Sequence, residues 1–183
     1  MFIRPARTTD IPVLRKWDNE PHVIHATSSF GTVVQDDDWE DELAPRDDGT
    51  SHWIGQVGDT PIGVMQIIDP ARERTHYWGE CENNLRAIDI WIGEKEFLNK
   101  GFGSRMYLWA ISECFAPDEV TAIVIDPLSN NEAAHRFYKR FGFQFVEQRV
   151  FDDDSDCFVF RLERKHWEQV REKITLEMPP VWH

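Results

Sequence analysis

Apolar and polar positions change period along the chain, and the changes mark its elements. Residues 2–6 read as a short strand. Thr8 or Thr9 can then cap a helix that begins near Asp10, with Pro12 in its first turn, where a missing N–H costs nothing. Ile11, Leu14 and Trp17 fall on one face of that helix. Residues 20–50 are less regular: 35–43 suits a short helix with a solvated acidic face, and 45–49 a turn. Next comes a hairpin, with strands over 53–57 and 62–68 joined by Gly58-Asp59-Thr60. The stretch 69–84 is polar and loop-like.

Residues 87–92 form a strand with a single carboxylate, Asp89, inside an apolar run. A turn at 98–103 leads into a long helix over 103–116, whose Met106, Leu108, Trp109, Ile111 and Phe115 suit a mostly buried element. A β-branched strand at 120–125 ends at Asp126-Pro127, and 131–140 is a helix closed by Gly142. Strands 143–146 and 157–162 enclose an acidic loop, Asp152-Asp153-Asp154, before a basic helix over 163–173 and a Pro-containing tail. The order β-α-α-β-β-β-α-β-α-β-β, without repeat or linker, predicts one α/β domain built on a mixed sheet.

Composition narrows the classes. With 41% hydrophobic and 13% aromatic residues in 183, the chain can bury a core and is not of the disordered type. The formal charge of -13 argues against nucleic acid, which needs a basic footprint, and leaves either a cationic partner or plain solubility. Cys81, Cys114 and Cys157 are odd in number and lack CxxC spacing, so neither a disulfide framework nor a zinc site is expected, and the histidines show no ligand spacing. No apolar run has the length of a signal or a membrane span. A cytoplasmic, reduced protein without a membrane partner is the expectation.

Two constellations carry chemistry. Lys100-Gly101-Phe102-Gly103-Ser104 lies between a strand and a helix; its glycines admit a ligand close to the backbone, and the free N–H groups of the helix start favour an anion such as a pyrophosphate. A plain tight turn explains the glycines equally well. The spacing is neither that of a P-loop nor that of the dinucleotide fingerprint. On the later helix, Asn131 and Tyr138 stand seven apart and share a face, able to line a ligand channel or simply to edge the core. Asp89 in its apolar strand calls for a reason, either a functional role or an ion pair inside the sheet.

Lys100-Gly101-Phe102-Gly103 before a long helix, followed by a strand and Asn131-x-x-Ala134-x-x-x-Tyr138-x-x-x-Gly142-Phe143, resembles the GNAT acetyltransferases. Phe2-Ile3-Arg4-Pro5-Ala6 with Asp10-Ile11 is similar to their opening, so the resemblance covers nearly the whole chain, residues 1–183 then being one acetyltransferase domain with 163–183 its C-terminal helix and tail. Leu98 departs from the family's usual Gln or Arg two places before Lys100. Arg86-Ala87-Ile88-Asp89, Glu119-Val120-Thr121 and Asp126-Pro127-Leu128-Ser129-Asn130 resemble the aminoglycoside 6'-N-acetyltransferases more closely, and that group accepts Leu at the departing position.

The resemblance implies a GNAT-type, mostly antiparallel mixed sheet flanked by helices. It implies acetyl-CoA as co-substrate, its pantetheine paired with Ile90, Trp91 and Ile92, its pyrophosphate on the 100–104 loop, and Asn131 on the cofactor side. Asp89 would be the general base, Tyr138 would protonate the leaving thiolate, and Asp126, with Gln66, Tyr77 and Trp78, would contact the amine. Tyr77 and Trp78 could stack on sugar rings or pack in the core. The implied reaction is direct acetyl transfer to a primary amine of a polycationic small molecule, foremost an aminoglycoside 6'-amine, with no metal, by a monomer or weak homodimer. A siderophore-precursor or protein N-terminal acetyltransferase, and a non-catalytic acyl-CoA sensor, are the alternatives; the presence of both Asp89 and Tyr138 speaks against the sensor.

Overall fold

The computed structural model describes residues 1–27, 38–152 and 154–177. Seven strands form one sheet in the order β1-β2-β3-β4-β5-β7-β6, where β1 is Phe2–Pro5, β2 Ser51–Val57, β3 Thr60–Ile68, β4 Leu85–Ile92, β5 Ala122–Ile125, β6 Gln144–Val150 and β7 Asp156–Glu163. Every neighbouring pair is antiparallel except β4 with β5. The helices are α1 (Ile11–Asp18), α2 (Pro21–Thr27), α3 (Trp39–Glu42), α4 (Phe102–Cys114), α5 (Glu132–Lys139) and α6 (Arg164–Glu177). This is the mixed, mostly antiparallel sheet flanked by helices that the sequence implies.

Strand alternation divides the core between the two faces. Met65, Ile67 and Ile88 join Met106, Tyr107, Ile111 and Trp167 in the largest cluster, so α4 and α6 cover one face. On the other, Ile54 and Val64 pack against Ile11, Leu14, Trp17 and Trp39 of α1 and α3. Ala87, Val124 and Val159 pack with Trp78, Leu128 and Phe151 in a separate cluster. Asp89 lies between Ala87 and Trp91 on the same side of β4, at the gap between these two smaller clusters.

Several details depart from the sequence expectation. Thr8 and Thr9 do not cap α1; they belong to a 3-10 turn, and Asp10 does the tying. Its carboxylate takes two bonds of 2.7 Å from Arg4 on β1 and one of 2.8 Å from the Arg7 N–H. Residues 21–27, read as irregular, form α2, a segment too short to hold itself as a helix. Contacts supply the support: a His22 ring nitrogen meets the Ile92 carbonyl at 2.9 Å, and the Asn131 amide reaches the Ala26 carbonyl at 3.4 Å. The helix expected over 35–43 is described only in part, as α3; Asp36, Asp37, Asp153 and residues 178–183 lie outside the described residues. Strand β6 runs on to Val150, beyond the expected end at 146; a β-bulge between Phe145 and Glu147 and almost wholly exposed side chains leave no inward alternation to mark it in the sequence.

Burial alone would raise the Asp10 pKa, but the Arg4 bonds and the Arg7 N–H outweigh it and hold the carboxyl below its usual value. A depressed carboxylate contributes stability above its unfolded pKa of about 3.9 that is lost as pH falls through the native value. Asp10→Ala should therefore lower unfolding free energy at pH 7 by about 2–3 kcal/mol, and the deficit should shrink in acid. Urea titrations at pH 7 and pH 3 measure it.

Candidate active site

The parallel pairing of β4 with β5 is brief: Leu85, Arg86 and Ala87 face Ala122, Ile123 and Val124, and there the register ends. Beyond it β4 runs on for five residues with only β3 beside it. The Gly93 N–H donates to the Ile62 carbonyl, so alternation directs the backbone groups of Trp91 and Asp89 to β3 and those of Ile90 and Ile92 to the open side. Of the three residues expected to meet a pantetheine, only Ile90 and Ile92 thus offer N–H and C=O groups. The Ile92 carbonyl is already met by His22.

The gap opens into a cleft of about 920 Å³. Asp89, Tyr138, Gln66, Tyr77, Trp78, Asp126, Ile90, Trp91, Ile92, Gly103 and Asn131 all line it. Lys100, Gly101, Phe102 and Ser104 do not; Leu98 and Asn99 stand at that end instead. Phe102 is buried in the core with its ring 5.3 Å from that of Phe97, so only its backbone can serve a ligand. Lys100 is exposed, its ammonium 5.9 Å from the Phe97 ring centre, and Ser104 accepts a bond from Arg140 at 3.3 Å. Gly101 caps the N-terminus of α4 with φ of 85°, a left-handed value that strains other residues. A Cβ at Gly103 would meet only Ile92, at 3.6 Å.

Asp89 sits directly opposite Gln66 in the β3–β4 ladder and opens onto the cleft, so it is not enclosed within the sheet. Among the described residues no cation pairs with it; the ion pair in this part of the sheet is Arg86 with Asp69, at 3.1 Å. Desolvation by the cleft walls, then the charge of Asp126, push the Asp89 carboxyl up to about 7. Solvent still enters the open cleft and softens this shift; a ligand that displaced the water would restore it. Burial raises the Tyr138 phenol well above its usual range, and Asp89 and Asp126 raise it further, so it stays protonated. Asn131 caps α5 by accepting the Ala134 N–H at 3.0 Å, which fixes the helix that carries Tyr138.

The acceptor end is built by the 69–84 loop. Glu73, a buried carboxylate, takes the N–H groups of Thr75 at 2.7 Å and Tyr77 at 2.5 Å, and so sets the chain path. The Tyr77 hydroxyl donates to Asp126 at 2.6 Å while its ring stacks on Phe151, centroids 4.3 Å apart. Trp78 is buried edge-on against Phe151 at 5.5 Å, closer to a packing residue than to a free stacking platform. Sequence reasoning missed Asp18, Glu42, Arg46, Asp48, Glu73 and Arg74 as cleft residues. Together with Asp89 and Asp126 they give six carboxylates against two guanidiniums, and Arg46 and Arg74 are themselves paired with Glu42 at 3.3 and 3.1 Å. The cleft is anionic. Of the acidic run over 35–43, Glu42 reaches the cleft while Glu40 pairs with Arg15; beyond the later acidic loop, Asp156 is bonded to Ser129 and Gln148.

An open strand edge beside a glycine-started helix, with a carboxylate and a protonated phenol facing one cleft, can take an extended ligand along the strand and move a proton to or from it. Residues 6–151 match the family model described as acetyltransferase (GNAT) domain, and the chain belongs to that family. It is 24% identical over 139 residues to aminoglycoside N(6')-acetyltransferase type 1 of Klebsiella pneumoniae, covering 74% of this chain and 69% of that protein. It is 23% identical over 147 residues to lysine N-acyltransferase MbtK of Mycobacterium tuberculosis, covering 79% and 69%. The fold superposes on aminoglycoside acetyltransferase AAC(6')-Ib in complex with coenzyme A and kanamycin with a TM-score of 0.78, at 23% identity over 92% of this chain and 98% of that one. Spermidine N-acetyltransferase of Vibrio cholerae, with coenzyme A and spermine, gives 0.70 at 16% identity over 91% and 97%. Among the described residues no group of side chains could hold a metal ion, and no helix is long and apolar enough to cross a membrane.

A carboxyl with a raised native pKa binds its proton more tightly folded than unfolded. Its stabilising contribution is therefore full below about 3.9 and is lost as pH rises through the raised native value. Asp89→Asn should melt at a higher temperature than the parent at pH 8 and at nearly the same temperature at pH 4. Calorimetric scans at the two pH values read the difference.

Proposed function

We propose that this N-acetyltransferase transfers acetyl from acetyl-CoA to a primary amine of a polycationic small molecule, with an aminoglycoside 6'-amine as the leading acceptor. The observation that carries the reading is the anionic cleft in which Asp89 and Tyr138 meet at the unpaired edge of β4. The residues present fit a coenzyme A thioester: Ile90 and Ile92 offer backbone groups to an extended pantetheine, and the start of α4 at Gly103 offers N–H groups without a side chain in the way. When bound, acetyl-CoA supplies an activated acetyl group.

The protein's own residues then manage charge and protons. Asp126, oriented by Tyr77, and the surrounding carboxylates hold the cationic acceptor. Asp89 accepts the amine proton, directly or through water. Its rise to about 7 roughly halves the gap to a primary amine, which titrates near ~10.4. Tyr138, kept protonated, donates to the departing thiolate, whose conjugate acid lies near ~8.5. The aminoglycoside and spermine bound by similar folds support a cationic acceptor, while the MbtK relative supports a lysine-type amine as the second reading.

Thiol release from acetyl-CoA, measured with aminoglycosides bearing a 6'-amine, spermine and lysine, tests the assignment; release with lysine alone moves it to the second reading. Tyr138→Phe should lower kcat on the order of 10²-fold and leave acetyl-CoA affinity unchanged. With the productive acceptor, kcat/KM should rise with pH through about 7 as Asp89 loses its proton, and that limb should vanish in Asp89→Asn. Efficiency with a polycation should also fall between 0.1 M and 1 M salt, where the screening length contracts from roughly 10 Å to about 3 Å. A flat salt response would remove the polycation from the assignment.

A further inference from the structure

Helix α2 bridges the cleft on two side-chain bonds. A His22 ring nitrogen meets the Ile92 carbonyl of β4 at 2.9 Å, and the amide of Asn131, at the start of α5, donates to the Ala26 carbonyl at 3.4 Å. Strand β4 and helix α5 are walls of the cleft, and α2 joins one to the other. Ile92 and Asn131, which receive the helix, are also two of the residues expected to meet the cofactor. We propose that α2 is a strap held in the cofactor's place and that acetyl-CoA displaces it on binding, which rests on the reading of the open β4 edge as the cofactor's seat.

The His22 bond is the point of direct conflict. Alternation turns the Ile92 carbonyl toward the side that β5 has left. An amide of an extended ligand pairing there would stand about 2.9 Å from the oxygen. The imidazole nitrogen already stands at that distance. A carbonyl oxygen has two lone pairs and can accept twice, so a second donor alone would not force His22 out. The ring behind the nitrogen does: it stands where a chain laid along the edge would run. The Asn131 bond closes the far side, so both ends of α2 are fastened to groups that a bound pantetheine would approach.

The strap is weakly held, as an element that moves must be. Its seven residues are too few to sustain a helix alone. Val23 is its single buried side chain, and the Asn131 bond is long and exposed. The preceding helix is fixed by contrast: Leu14 and Trp17 of α1 are wholly buried. The two helices are joined through Asn19 and Glu20, whose N–H groups donate to the Lys16 and Trp17 carbonyls at 3.2 and 2.9 Å. Motion therefore has a natural hinge at 19–20, between a helix locked into the core and one that can be exchanged for a ligand. Ile24, Ala26 and Thr27 line the cleft as well, so displacing α2 reshapes the space in which the acceptor must sit.

Residue-resolved amide hydrogen exchange of the full chain, alone and with saturating acetyl-CoA, tests the strap. Acetyl-CoA should slow the Ile90 and Ile92 amides and speed those of residues 24–27 about tenfold or more. His22→Ala should show the faster exchange over 24–27 without any ligand. It should also bind acetyl-CoA tighter by roughly 3- to 10-fold in calorimetry, because less of the protein is held in the closed form. His22→Gln, which keeps a donor on a side chain of similar reach, should stay near the parent in both measurements. Circular dichroism and melting temperature establish that each variant is folded. Acetyl-CoA that does not bind, or that binds without protecting Ile90 and Ile92, overturns the seat and the strap together. Protection of Ile90 and Ile92 with residues 24–27 unchanged or slowed overturns the strap alone, as does a folded His22→Ala that binds no tighter than the parent.

Discussion

The early parting of β4 from β5 is the constraint on which the rest of the molecule depends. Three residue pairs hold the strands together, and then β5 ends while β4 continues. A sheet with hydrogen bonds on both sides of every strand has no interior space for a substrate. Here the sheet gives up pairing along half of one strand, and the cost of leaving its polar groups unmatched is contained because they face a wet cleft. The surrounding elements then have defined tasks: α4 packs under the open strand, α5 carries Tyr138 to its margin, and α2 spans it through His22 and Asn131. Gly93 belongs to the same arrangement, since a Cβ there would fall about 2.0 Å from the Trp17 ring that anchors α1.

Charge is placed with similar economy. The chain is strongly acidic overall, and among the described residues the acidic run over 35–43 gives the cleft only Glu42, so most of its negative character has another source. It comes from carboxylates spaced far apart in sequence and fixed in place by neighbours: Asp126 by a phenol, Glu42 by two guanidiniums, Glu73 by backbone amides. Asp89 differs in having no such neighbour. Its proton affinity is left to the walls of the cleft and to the second carboxylate across it, and the same crowding that makes it a poor place for a charge makes it a better base.

Much of this arrangement was legible in the sequence, and the reasons are specific. The strand around Asp89, the glycine turn before α4 and the Asn131–Tyr138 spacing are local patterns, and each element formed where its period placed it. What stayed hidden depends on contacts between distant segments. Nothing in a polar run announces that Asp69 and Glu73 will be buried and will organise the 69–84 loop, because their partners are a distant arginine and backbone amides. Helix α2 has no periodicity of its own to display. Trp91 resembles its neighbours Ile90 and Ile92 in sequence, and only the ladder register shows that its backbone is spent on β3. The side chain of Phe102 likewise belongs to the core although its backbone lies in the glycine turn.

The alternation along the open half of β4 gives one strand two kinetic identities. The amides of Asp89 and Trp91 are locked against β3, whereas those of Ile90 and Ile92 have no strand opposite them. Amide hydrogen exchange would therefore not report one rigidity for this strand but a comb, slow and fast from residue to residue. A molecule laid along the edge would erase the comb by protecting the fast teeth alone. The strand thus carries an isotopic signature of occupancy, legible at single residues even where no side chain moves.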